Sequence, residues 1–251
     1  MIRQLLMSLV VIGLAAAAMA QPPPLPSLIK PAPIAKATKH PGPLLIEHEP
    51  TSELSKGFGT PLWAIGISSA DGSFGHAAVL LVSRGSFLTP QMTEGLGQAA
   101  DKPKETVDGI RTDLEGQVAR ATVDTTRAHL QEQLAEFNSI TTHGGITRRL
   151  TLPNGRIGYV TALGFGAGGA TFVAALPSPD DRFELLVVTG NSLENEGRKP
   201  NAKSQVYEKA MRERPLDVTE EVADVIYAQE FPPATSESTK PPKAGKTPGH
   251  R

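Results

Sequence analysis

Apolar and polar positions are most clearly ordered between Ile146 and Thr189, where the pattern predicts four consecutive strands. Ile146, Leu150 and Leu152 mostly alternate with polar residues, and Pro153-Asn154-Gly155 then supplies a hairpin turn. The strand over 156–166 sets Ile157, Tyr159, Leu163 and Phe165 on one face and Gly158, Val160, Ala162 and Gly164 on the other. Phe172 to Leu176 and Phe183 to Val188 are short, nearly continuous apolar runs, split by the turn residues Ser178-Pro179-Asp180-Asp181. Burying a large apolar side chain gains about 1.5–3 kcal/mol. The bulky face of strand 156–166 is therefore expected inside, and its small face is expected open, with room for a ligand.

Upstream, Leu62 to Ile67 and Ala77 to Val82 flank Asp71-Gly72 and read as a hairpin, with Trp63 expected in the core. Val107, Ile110, Leu114 and Val118, then Leu130, Leu134 and Phe137, recur at helical spacing. Thr122, Val123, Thr125 and Thr126 interrupt that span, which predicts two helices or one broken helix. Residues 190–204 read as a polar loop and 205–212 as a short helix. Asp217 and Glu220 resemble the two ends of a capping box before the stripe Val218, Val222, Val225 and Ile226.

The expected fold class is α+β. About six mostly antiparallel strands (hairpin 62–82 plus meander 146–189) carry helices over about 104–137, 205–212 and 218–230 on one face. The order of hairpin, helices, meander and helix argues against alternating βαβ units.

Composition adds the ends and the compartment. Arg3, the uncharged stretch Leu5 to Ala18 and Ala18-Met19-Ala20 make a secretory signal over 1–20, expected to be cleaved after Ala20. Its apolar run is too short to span a bilayer, so no transmembrane span is expected after cleavage. Nine of the 22 prolines lie in 21–50 and five in 232–251. Residues 21–50 read as a Pro-rich linker, a spacer in preference to a docking motif for a proline-binding groove. Residues 51–231 read as a single globular domain, and 232–251 as a disordered basic tail. There is no cysteine, which excludes disulfides and thiol chemistry. Residues 51–231 carry 17 basic against 23 acidic side chains, a net −6. That balance argues against nucleic acid, which needs clustered cations. The expected setting is bacterial export, periplasmic or secreted.

Candidate chemistry is sparse. Residues 164–169 formally match G-x-G-x-x-G, with Glu184 twenty residues beyond the first glycine. A dinucleotide site needs a helix after that turn, and the next residues are a short, β-branched run, so the stretch reads as a bend, a bulge or a loop. Ser68 and Ser192 lie in incomplete nucleophile-elbow patterns. His76, His129 and His143 show no zinc spacing. Glu220, Glu221 and Asp224 read as helix N-terminal charge, and Asp180 and Asp181 as a turn. No catalytic, metal or cofactor residue is therefore assigned. The sequence predicts an exported, non-enzymatic binding or accessory module whose partner is a protein, an envelope component or a small ligand. The alternative is an envelope or extracellular hydrolase that joins Ser68 or Ser192 to His76 or His143 in space.

Overall fold

The computed structural model describes residues 29–40, 42–48, 58, 60–70, 74, 77–142, 145–164, 170–190, 209–211 and 213–232. Its centre is a seven-stranded, wholly antiparallel sheet in an α+β fold. The strands are β1 (Leu44–His48), β2 (Trp63–Ser69), β3 (Ala77–Ser83), β4 (Thr147–Thr151), β5 (Ile157–Gly164), β6 (Thr171–Pro177) and β7 (Phe183–Gly190). They lie in the order β1-β2-β3-β7-β6-β5-β4. The predicted hairpin is β2–β3 and the predicted meander is β4 to β7. The two join where β7 pairs with β3, in a register that sets Val79 opposite Val187. The continuous apolar runs become the central strands β3, β6 and β7, because only strands covered on both faces can be apolar throughout.

The helices are α1 (Pro31–Ala37), α2 (Pro90–Asp101), α3 (Pro103–Arg120), α4 (Asp124–Thr141) and α5 (Pro215–Glu230). One face of the sheet carries Ile65, Val79, Val187, Phe172 and Val160. It packs under α5 through Val218, Val222 and Ile226, and under α1 through Ile34. The other face carries Leu80, Leu186, Val173 and Tyr159 and packs on Phe87 and Leu88 of the loop after β3 and on Leu96 of α2. The expected helical span is broken at 121–123, where Val123 is exposed. Helix α2 begins upstream of that span, on a Thr89 cap whose hydroxyl accepts from the Met92 amide. Of the short helix expected over 205–212, Lys209 to Met211 are described and helical.

Helices lie on both faces of the sheet and not on one, α1 and α5 on one side and α2 on the other. Three further expectations need correction. Residues 29–48, expected within a spacer, instead form α1 and the seventh strand β1. Ile34 and Leu44 enter the core there, and β1 pairs with β2 from Leu44 opposite Ser69 to His48 opposite Ile65. Asp217 does not cap α5. The helix starts earlier, with Pro215 in its first turn, where proline's missing N–H costs nothing. The coverage of β5 also differs from expectation: its small face is covered, and its bulky face is buried at Tyr159 but exposed at Ile157 and Leu163. Ile157 and Leu163 are each 41% exposed, while Gly158 and Val160 are buried. The small face is covered because β6 and α5 approach it closely. A Cβ on Gly158 would stand 2.7 Å from Leu176 Cδ2 and 2.9 Å from the Ala175 carbonyl oxygen.

Turn chemistry agrees more closely with the sequence pattern. Gly155 has φ +77°, and its amide donates to the Leu152 carbonyl at 2.8 Å. In the 178–181 turn the Ser178 hydroxyl donates to Asp180 Oδ1 at 2.6 Å and accepts the Phe183 amide at 3.0 Å.

Candidate functional site

The residues singled out in the sequence do not converge among the described residues. Ser68 is half-buried in β2, opposite Leu45 of β1; Ser192, His76 and His143 lie outside the described residues. Gly164 ends β5, and the register with β6 shifts between Ala162 and Gly164. Residues 165–169 lie outside the described residues. Beyond them Thr171–Pro177 is a strand, in the place where a dinucleotide turn needs a helix. Glu184 is fully buried. Its carboxylate accepts from Arg84 Nη1 at 2.6 Å and from the amides of Gly85, Phe87 and Leu88 at 2.7, 2.9 and 3.0 Å. It holds the turn after β3 and has no open side for a ribose. Among the described residues no group of three or more His, Asp or Glu side chains is placed to hold a metal ion. No described helix is long and apolar enough to cross a membrane.

The fold does assemble a polar cleft of about 480 Å³ at the free edge of the sheet. Strand β4 ends the sheet, so its outer backbone groups have no strand partner among the described residues. Thr147, Arg148 and Arg149 form one wall, Asp101 and Pro103 at the α2–α3 junction a second, and Glu213 to Asp217 at the start of α5 a third. Adjacent residues on a strand point to opposite faces, and this separates the two arginines. Arg148 turns toward α5, where its Nη1 donates to Asp217 Oδ1 at 2.7 Å and Glu220 Oε2 at 2.8 Å. Arg149 turns toward α2 and grips Asp101 with both terminal nitrogens, at 2.8 and 2.9 Å. Arg214 Nη1 donates to Glu221 Oε1 at 2.6 Å, and the second Glu221 oxygen is buried without a hydrogen-bond partner among the described residues.

All three guanidiniums are raised above their ordinary value. For Arg148 burial acts against the charge, but the bonds to Asp217 and Glu220 outweigh it. For Arg149 the hydrogen bond with Tyr159 leads. For Arg214 it is the bond with Glu221. The cleft presents three permanently charged guanidiniums, each already paired with carboxylates: Arg148 with Asp217 and Glu220, Arg149 with Asp101, and Arg214 with Glu221. The first turn of α5 adds backbone amides without intrahelical acceptors, and no side chain caps them.

A second cleft, of about 680 Å³, lies at the opposite end of α5. Tyr227 and Phe231, with ring centroids 5.0 Å apart, form its aromatic side, and Pro153, Pro179 and Pro232 complete much of the rest. The Tyr227 hydroxyl donates to the Pro177 carbonyl at 3.0 Å and accepts from Asn154 Nδ2 at 3.4 Å. Burial raises the Tyr227 phenol above its ordinary value.

Sequence reading does not single out Arg148, Arg149 or Arg214. The one signal present is a pair of adjacent arginines within a short strand. It points to an edge strand, since charge on both faces is incompatible with a central position. No family model matches this chain, and no match is found among the curated proteins or the solved structures.

Proposed function

We propose that this protein is an exported, non-enzymatic binding module, and that the cleft along β4 takes an extended acidic peptide segment. The observation that carries the reading is the free edge of β4, flanked by Arg148, Arg149 and Arg214 at the start of α5. An extended segment can add its backbone to an open strand edge, and the flanking side chains then select by charge. Arginine suits a carboxylate because its planar fork offers five donors. The present ion pairs occupy one nitrogen each of Arg148 and Arg214, and two of Arg149. The Arg148 and Arg149 side chains are 45% exposed, and exposed pairs are worth only about 0–1 kcal/mol each. An incoming carboxylate can therefore share these guanidiniums at little cost.

Binding is favoured over catalysis because acid–base chemistry needs a group that titrates near the working pH. The three cations here are arginines, which stay protonated at any working pH. Export rests on the signal-like residues 1–20.

Calorimetric titration tests the binding reading. The peptide acetyl-Val-Glu-Val-Glu-amide should bind with one-to-one stoichiometry. The lysine counterpart acetyl-Val-Lys-Val-Lys-amide and free glutamate should not. Arg214→Gln should weaken binding by about tenfold or more, the scale of one charged hydrogen bond at 1.5–3 kcal/mol. Equal binding of the acidic and basic peptides, or no binding of either, would overturn it.

A further inference from the structure

We infer that the proline-rich segment Gln21–Ser27 (QPPPLPS) docks into the aromatic cleft at the C-terminal end of α5.

Three observations carry this. The first is position. The described chain begins at Ile29, and the Lys30 amide donates to Gln229 Oε1 at 2.7 Å. Gln229 is one residue from Ala228 and two from Phe231, both of which line the cleft. Gln229 is itself held, its Nε2 donating to the Val225 carbonyl at 3.3 Å. Residues 21–27 are thus tethered beside the cleft. At about 3.1 Å per residue in the extended proline-rich conformation, they span roughly 20 Å.

The second observation is shape and composition. Proline-rich segments dock between aromatic side chains, because a preformed left-handed helix loses little entropy on binding. Tyr227, Phe231 and the prolines 153, 179 and 232 supply such walls.

The third is hydrogen bonding. A run of prolines has carbonyl acceptors but no amide donors, so it needs donors from its groove and few acceptors. Asn154 provides one at the cleft wall, because its Nδ2 carries two hydrogens and the Tyr227 oxygen takes only one. Intramolecular docking also raises the effective concentration of a weak ligand far above that of a free partner. The same cleft could receive the prolines of a second copy, and the test separates the two.

The chain has no cysteine, so Leu25→Cys gives one unique site for a nitroxide in the full protein. Amide signals of Asn154, Tyr227 and Ala228 should then be strongly broadened. The broadening should be lost when Pro22, Pro23, Pro24 and Pro26 are all replaced by serine, which alters no described residue. It should also be lost on Phe231→Ser, with the remaining amide spectrum intact as proof of folding. Broadening unchanged by both sets of substitutions would come from the tether at Lys30 alone and would overturn the inference, as would no selective broadening. Broadening that appears on unlabelled protein mixed with labelled protein would assign the cleft to a second copy and would equally overturn the intramolecular assignment.

Discussion

Glu184 shows how a single residue can be misread from sequence and how much it carries in the fold. Its spacing from Gly164 suggests a ribose ligand, but the carboxylate is fully buried and accepts four hydrogen bonds from residues 84–88. Removing one partner of a buried charged network leaves the others unsatisfied and costs about 3–5 kcal/mol. Glu184→Ala should therefore lower the stability measured by urea unfolding by about that amount; a loss below about 1 kcal/mol would contradict this role.

Titration at the surface works in both directions. Burial opposes the charge of Asp180, but hydrogen bonds from the Ser178 hydroxyl and the Arg182 amide outweigh it and lower its pKa. Its contribution is present above the ordinary aspartate range and is lost as pH falls through the depressed folded value. Glu230 is raised by burial alone. Its contribution is full below the ordinary glutamate range and is lost as pH rises through the raised folded value. Glu230→Gln should accordingly stabilise the protein at neutral pH and give no gain in acid. Urea midpoints taken from neutral pH down through the carboxylate range check this, and a gain that persists unchanged in acid would contradict the sign.

At the scale of elements, periodicity identifies whatever is long or repeated. The hairpin, the meander and the broken helical span all occur. It misses short elements whose stability comes from tertiary contact. Helix α1 has seven residues and two prolines, and by composition it belongs to a spacer. It forms because Pro31 fits a first helical turn and Ile34 is buried against the sheet. Helix α2 is marked only by Thr89-Pro90, a cap with a proline next to it in the first turn. The small face of β5 is covered for a physical reason. Weighing its four large side chains alone leaves out the apolar residues that α5, Phe172 and Leu176 bring to the opposite face. The cleft is the least legible part, because its three arginines come from two distant parts of the chain and meet only once β4 lies at the sheet's edge.

A chain that begins at Thr51 tests the first of these lessons. It lacks α1 and β1, leaves the edge of β2 unpaired and exposes the surface that Ile34 and Leu44 cover. It should lose several kcal/mol and its sharp thermal transition, since each such side chain is worth about 2–5 kcal/mol on deletion. A melting temperature within a few degrees of the longer chain would show that residues 29–48 add little.

For the whole molecule, α5 is the organising element. Its middle covers the small face of β5, its first turn forms one wall of the charged cleft, and its last turn forms the aromatic one. The two clefts differ in chemistry, so the first can serve an external acidic segment while the second engages the protein's own prolines. The most direct measurement of the proposed function is amide chemical-shift mapping during titration with acetyl-Val-Glu-Val-Glu-amide. Saturable shifts should be confined to Thr147–Arg149, Asp101 and Arg214–Asp217, should be accompanied by slower hydrogen exchange along β4, and should vanish in Arg214→Gln. Shifts that do not saturate, or that fall elsewhere on the sheet, would contradict the assignment of the β4 edge as the binding site.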